Sequence, residues 1–102
     1  MITLEQRLNV LNSAIRTFSK ENQKVVTIEE LAELQKELTK DLRGKPNLQK
    51  IAEEMADVEI MLEQLELIYG VGLIQQKQVF KENKLKRLAE RINLENDRKG
   101  LL

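Results

Sequence analysis

Residues 47–69 read NLQKIAEEMADVEIMLEQLELIY, and this stretch decides the fold. Its apolar residues return every three or four positions, which is the period of one face of an α-helix. Asn47 is a residue type that caps helix N-termini, and Gly70 favours the left-handed conformation that ends helices. The apolar face consists of Ile51, Met55, Val58, Met61, Leu62, Leu65 and Ile68. We therefore predict one long helix over this stretch.

Three further helices are predicted around it. Two begin at capping boxes, Thr3 with Gln6 and Thr27 with Glu30, in which a hydroxyl and a side-chain oxygen three residues later cap each other's backbone. The second helix carries an apolar stripe of Leu31, Leu34, Leu38 and Leu42. The predicted helices span residues 3–20, 27–43, 47–69 and 73–95, followed by a flexible C-terminal tail. We predict a single all-α, four-helix bundle-like domain over residues 1–102.

Composition excludes several classes of site. The chain has no cysteine and no histidine, so thiolate nucleophiles, imidazole bases and the usual zinc ligands are excluded. A bound metal would need oxygen ligands, which favours Mg²⁺, Mn²⁺ or Ca²⁺. The 17 basic residues balance the 17 acidic ones, which argues against a general nucleic-acid or membrane-surface binder. With no signal-peptide pattern and no long apolar run, we expect a cytoplasmic protein.

Two acidic residues interrupt the apolar face of the third helix. At about 100° per residue, Glu54 points between Met61 and Leu65, and Asp57 lies at the edge of the face. Burying an ionised carboxylate is costly unless a counter-charge compensates, and no basic residue follows at i+3 or i+4 of either acid. A divalent cation is one compensator. A wetter helix face, or ion pairs with lysines from elsewhere, is the alternative.

The second helix carries a similar acidic set. Glu30, Glu33 and Glu37 share one side, and the Glu30/Glu33 spacing of three residues puts two carboxylates over one turn. Such pairs on facing helices can supply the oxygens that a hard cation needs. Taken alone, however, this pair is more typical of a solvated, Glu-rich helix face than of a metal site.

The residues around both pairs carry a resemblance to a known family. Residues 29–34, EELAEL, and residues 53–58, EEMADV, resemble the paired ExxE and ExxD motifs of the MazG-like, all-α nucleoside triphosphate pyrophosphatases. The resemblance extends over about residues 27–92, and the helix order and the separation of the motifs are similar. Each motif alone is unspecific, whereas the two in this order, each with a small residue before its last acid, are more specific.

This resemblance implies a metal site and a reaction. It implies that Glu30, Glu33, Glu54 and Asp57 coordinate Mg²⁺, with Mn²⁺ as an alternative. The family cleaves a nucleoside triphosphate, ribo or deoxyribo, between its α- and β-phosphates, releasing a monophosphate and pyrophosphate in nucleotide-pool cleansing. One glutamate would position the attacking water; Glu33 is our first assignment and Glu30 the second.

The fourth helix carries a basic stripe. Lys84, Arg87 and Arg91 step by three and four residues along one face, and the KLKR stretch at residues 84–87 resembles the family's lysine and arginine on this helix. The resemblance implies that Lys84 and Arg87, and less directly Arg91, bind the phosphates of the substrate. A solvated basic face opposite the leucines is the alternative.

Two classes of function therefore remain open. The first is a Mg²⁺-dependent nucleoside triphosphate pyrophosphohydrolase, a hydrolase that the resemblance implies to be a homodimer or homotetramer. The other is a non-catalytic helical interaction or regulatory module, which would explain the small core and the second apolar side of the third helix, with Ala56, Ile60 and Leu67. A family member that binds nucleotides without hydrolysing them lies between the two. We expect no nucleic-acid partner and no membrane partner.

Overall fold

A computed structural model describes residues 1–100 and places them in four α-helices without a strand in that range. The helices are α1 (Leu4–Phe18), α2 (Lys20–Leu42), α3 (Leu48–Tyr69) and α4 (Val71–Arg98). The all-α class and the number of helices are therefore confirmed. The chain divides into two compact units, residues 1–69 and the segment from Gly70 onward.

Three of the predicted helix boundaries are made by the residues expected to make them. At the start of α1, the Gln6 N–H donates to Thr3 Oγ1 at 3.1 Å and the Thr3 N–H donates to Gln6 Oε1 at 2.8 Å, which is a complete capping box. At the start of α3, the Lys50 N–H donates to Asn47 Oδ1 at 3.0 Å. After α3, Gly70 adopts a φ of +91°, in the region that favours glycine.

The predicted start of the second helix is wrong. Helix α2 begins at Lys20, seven residues before Thr27, and its N-cap is Ser19, whose Oγ accepts from the Asn22 N–H at 3.1 Å. Ser19 alone separates α1 from α2, with a φ of +81° that is strained for a residue other than glycine. Thr27 lies inside α2, where its hydroxyl donates to the Gln23 carbonyl at 2.8 Å instead of capping a helix.

The end of the fourth helix is also later than predicted. Helix α4 continues to Arg98, three residues beyond the expected end at 95, so the first part of the predicted tail is helical. The last two residues of that tail, 101 and 102, lie outside the described residues.

In the unit of residues 1–69, helices α1, α2 and α3 pack on one another, and α2 with α3 shares most of the contacts. The buried apolar core of this unit is small: Leu11 of α1 with Val58 and Met61 of α3. The buried set also includes five polar or charged side chains: Gln23, Thr27 and Glu37 of α2, with Glu54 and Gln64 of α3. The α2–α3 interface therefore depends on polar pairing as well as on apolar packing.

Helix α2 is rotated in a way that its sequence does not predict. Its buried residues fall at positions 23, 27 and 37, a line that also passes through half-buried Glu30 and Leu34. The apolar stripe lies largely on another side, because Leu31, Leu38 and Leu42 are exposed, Leu42 by 88%. A stripe shows that a helix has an apolar face, but it does not show which element covers that face.

The unit from Gly70 onward consists of α4 with its flanking residues. No residue of α4 is buried. Leu73 and Ile74 are half-buried, whereas its other large apolar residues are exposed: Val71, Val79, Phe80, Leu85, Leu88, Ile92 and Leu94.

Candidate metal centre

Three of the four predicted metal ligands converge between α2 and α3. Glu30 from α2 and Glu54 and Asp57 from α3 each offer a carboxylate oxygen, and these three oxygens lie within 4.8 Å of one another. Glu54 is buried, Glu30 is half-buried and Asp57 is exposed. The cluster therefore extends from the helix interface to the surface, so that solvent reaches one end of it.

The geometry of α3 explains the position of its two acids. Glu54 precedes Val58 by one turn and Met61 by two, so it points to the same side as these core residues and retains only 4% of its exposed surface. Asp57 is three residues on and falls at the edge of that side, where it stays exposed. Both orientations agree with the periodicity of the sequence.

The buried Glu54 has a counter-charge that the sequence analysis missed. Lys50 Nζ lies 3.1 Å from Glu54 Oε1 and 3.8 Å from Oε2 of exposed Glu53. The prediction concerned only positions i+3 and i+4 of each acid, whereas Lys50 precedes Glu54 at i−4. The expectation that Glu54 lacks a local counter-charge was wrong, and the signal for the pair was present in the sequence.

Glu30 is surrounded by other acids. Burial raises the pKa of Glu30 above its ordinary value, and Asp57, Glu54 and Glu33 add to that rise through their negative charge. A side chain in this position gains from a proton or from a nearby cation. Crowding of this kind is what a bound divalent cation would relieve.

Glu33 lies one turn from Glu30 on α2 and is exposed. It is not in the group of three within 4.8 Å, although its charge reaches Glu30 and raises the pKa of that carboxyl. Of the four predicted ligands, Glu33 is therefore the one that lies outside the group of three, on the exposed rim of the cluster.

Glu37 is a second buried acid. It was predicted on the same side of α2 as Glu30, but it was not assigned to the site. It is 3% exposed, and Lys40 Nζ lies 3.4 Å from its Oε2. Its charge also contributes to raising the pKa of Lys50, after the larger effects of the hydrogen bond and charge of Glu54. The signal was its spacing, because Glu37 follows Glu30 by seven residues, two turns along the same side.

A buried hydrogen bond also joins α2 to α3, two turns from Glu30 on α2 and two turns from Asp57 on α3. Gln23 Nε2 donates to Gln64 Oε1 at 2.6 Å, and Gln64 Nε2 lies 3.7 Å from the Met61 sulfur. Within residues 1–100, no buried side-chain nitrogen or oxygen lacks a partner. A fully satisfied polar interface defines one rotation of the two helices, which in turn fixes the direction of Glu30.

The three carboxylates fit a hard divalent cation. Such ions prefer oxygen ligands, and for Mg²⁺ at about 2.1 Å from each ligand, opposite ligand oxygens are about 4.2 Å apart. The three oxygens lie within 4.8 Å of one another, so the side chains would have to move closer together to bind one ion. Three protein oxygens leave the remaining positions of an octahedron for water or phosphate.

The three predicted phosphate ligands lie on α4 and are all exposed: Lys84, Arg87 and Arg91. Their neighbour Lys86 instead faces Glu82, with Nζ 3.6 Å from Oε1. Exposed arginines remain free to form two parallel hydrogen bonds with a phosphate, whereas Lys84 would act as a point charge.

Two further findings bear on the class of protein. None of the helices in residues 1–100 combines the length and the hydropathy needed to cross a bilayer. No family model, curated protein or solved structure matches the chain. Membership of the MazG-like family therefore stays a prediction that rests on the motifs at residues 29–34 and 53–58.

Proposed function

We propose that this protein is a Mg²⁺-dependent nucleoside triphosphate pyrophosphohydrolase. The observation that carries the proposal is the convergence of Glu30, Glu54 and Asp57 across the α2–α3 interface, with Glu54 buried. These are three of the four acids of the two motifs. Residues 30 and 54 are far apart in the sequence. They meet because α2 and α3 pack on the sides that carry Glu30 and Glu54.

In the proposed reaction, water adds across the α–β phosphoanhydride bond. The oxygen of water bonds to phosphorus, the bridging P–O bond breaks, and the products are a nucleoside monophosphate and pyrophosphate. A divalent cation, Mg²⁺ or Mn²⁺, would neutralise phosphate charge and lower the pKa of a coordinated water. Glu33, exposed on the rim and within electrostatic reach of Glu30, is assigned as the group that accepts the proton of water, with Glu30 as the second candidate.

The remaining roles rest on the resemblance and on exposure. Lys84, Arg87 and Arg91 are assigned to the phosphates, and the substrate is a ribo- or deoxyribonucleoside triphosphate. Nucleotide-pool cleansing would place the protein in the cytoplasm. The exposed apolar side chains of α2, such as Leu31 and Leu38, support a homodimer or homotetramer, because burying them would add to a small core.

The test is an assay of pyrophosphate release. The protein is incubated with a panel of standard and modified-base triphosphates, with and without Mg²⁺. We expect metal-dependent release that is lost in Glu54→Gln and in Asp57→Asn and kept in Glu59→Gln, a matched change at an exposed acid of the same helix. Intact substrate across the whole panel, with the helical circular dichroism spectrum preserved, would refute the enzyme.

The second candidate is a non-catalytic helical interaction module. Two observations favour it: Lys50 already neutralises Glu54, and exposed apolar residues occur on both α2 and α4. This candidate predicts no metal-dependent release of pyrophosphate and no increase in melting temperature on adding Mg²⁺ or Mn²⁺. The enzyme predicts both effects.

A further inference from the structure

Lys50 contributes a positive charge to the acidic cluster from within the protein. Its Nζ lies 3.1 Å from Oε1 of Glu54, whose side chain is almost fully buried, while the Lys50 side chain keeps 45% of its surface exposed. The ammonium thus reaches from the surface to a buried carboxylate. Hydrogen bonding to Glu54 raises the pKa of Lys50.

This single charge does not balance the acids around it. Glu30, Glu54 and Asp57 converge within 4.8 Å, and Glu37 also acts on Lys50. An ammonium at Glu54 balances one of the three carboxylates and leaves excess negative charge in the cluster. A divalent cation would neutralise more of this charge, but it would be repelled by an ammonium bound to the same carboxylate.

The structure also provides a second partner for the lysine. Glu53 Oε2 lies 3.8 Å from Lys50 Nζ, and Glu53 is exposed. A lysine has a flexible four-carbon stem, so its ammonium can move from Glu54 toward Glu53 without any movement of the backbone. Leaving Glu54 therefore does not leave the ammonium unpaired.

We propose that Lys50 is a displaceable internal counter-ion: it holds the Glu54 carboxylate when no metal is bound, and a divalent cation must displace it toward Glu53 to bind. Lys50 is thus a positioning residue that lowers the affinity of the site and keeps the buried carboxylate paired between ions. This inference rests on the proposed metal site and adds the regulation of its occupancy.

The experiment measures Mn²⁺ binding to the full chain, from the electron paramagnetic resonance signal of the free ion. The variants are Lys50→Gln, which removes the charge, and Lys50→Arg, which keeps it. Lys20→Gln is the matched control, because residue 20 lies about 15 Å along α2 from Glu30. We expect Lys50→Gln to bind Mn²⁺ about five-fold more tightly, the size of one partly exposed charge interaction.

Thermal melting measures how much Mn²⁺ stabilises each variant, and a purely structural role of Lys50 would not change that increment. Without metal, Lys50→Gln should melt below the unmodified protein, because Glu54 loses its partner. Saturating Mn²⁺ should then raise the melting temperature of Lys50→Gln more than that of the unmodified protein or of Lys50→Arg. Circular dichroism checks that all variants remain helical.

The outcomes separate this inference from the metal site itself. Equal Mn²⁺ affinity in Lys50→Gln and the unmodified protein would overturn the role of Lys50 and leave the metal site intact. Equal tightening in Lys20→Gln or Lys50→Arg would also overturn it, since the effect would then not depend on this charge. If neither the unmodified protein nor any variant binds Mn²⁺, the metal site fails and the role of Lys50 fails with it.

Discussion

Helices α2 and α3 pack against each other but present different kinds of faces. The buried residues of α3 are half apolar, with Val58 and Met61 beside Glu54 and Gln64. The contact face of α2 is mainly polar, with Gln23, Thr27 and Glu37 buried. The same interface therefore combines α3, which buries both apolar and polar side chains, with α2, whose buried side chains are all polar and whose leucines are largely exposed.

The acids on the two helices have different environments as a result. Glu54 is buried beside Lys50, so its charge is compensated from within its own helix. Glu30 is less buried, yet it is surrounded by Asp57, Glu54 and Glu33, and its pKa is raised. Burial is the largest cause of the raised pKa of Glu30, and the negative charges of its neighbours add to it.

The largest expected effect is on catalysis, for which we expect the acids of α2 and α3 to be equally important. A metal site needs oxygens from both, so Glu54→Gln on α3 and Glu30→Gln on α2 should each lower metal-dependent pyrophosphate release by about 100-fold or more. Steady-state assays at saturating Mg²⁺, with Glu59→Gln as the control, measure this. A loss confined to one helix would show that the ion, if bound, is held by that helix alone.

The second prediction concerns the polar contact face of α2. Gln23→Ala leaves the buried Gln64 amide without its partner, so the free energy of unfolding should fall by about 1–3 kcal/mol. Replacing both residues by leucine should recover part of that loss, because no unpaired amide remains. Urea denaturation of the single and double variants measures both effects. A double variant as unstable as Gln23→Ala would show that packing, and not the hydrogen bond, stabilises this contact.

The contrast between the helices also marks how far the sequence predicts the fold. Periodicity correctly placed four helices, and it correctly turned Glu54 toward Val58 and Met61, because α3 has a strong apolar face. The capping residues Thr3 and Asn47 were identified because their side-chain oxygens reach the exposed N–H groups of the first turn. These are local interactions, and local sequence is sufficient to predict them.

The features that the sequence did not predict depend on contacts with distant residues or on side chains that can form more than one kind of hydrogen bond. Thr27 can cap a helix or donate to the carbonyl of Gln23, and the sequence does not distinguish the two. The break between α1 and α2 lies at a serine, Ser19, and not at the proline or glycine that usually marks one. The rotation of α2 depends on Gln23 meeting Gln64, a residue 41 positions away. Lys50 was missed for a simpler reason, since only the positions after each acid had been considered.

The exposed leucines of α2 lead to the third prediction. If they form the contact between copies of the chain, Leu31→Gln combined with Leu38→Gln should weaken self-association by at least about ten-fold, from the apolar surface lost. Analytical ultracentrifugation over a range of concentrations measures this. The matched control is Val79→Gln with Leu85→Gln on α4, where exposed apolar residues are also available. Weakening by the control alone would assign the contact to α4.

The smallest expected effect tests the comparison of the two acids directly. In the absence of metal at pH 7, Glu30→Gln should raise the melting temperature by a few degrees, because it removes a carboxylate crowded by Asp57, Glu54 and Glu33. The folded-state pKa of Glu30 is raised, so its ionisation destabilises the fold as the pH rises through that value. Below the ordinary glutamate pKa of about 4.3, Glu30 is protonated in both states and the gain should vanish.

The same substitution on α3 should have the opposite sign. Glu54→Gln removes the partner of Lys50, so at pH 7 without metal its melting temperature should fall. Differential scanning calorimetry in EDTA, from pH 7 downward, compares the two variants with Glu59→Gln. A gain from Glu54→Gln as large as that from Glu30→Gln would mean that Lys50 does not compensate the buried acid. In that case the two helices would carry equally strained carboxylates, and the Lys50–Glu54 ion pair would contribute nothing to stability.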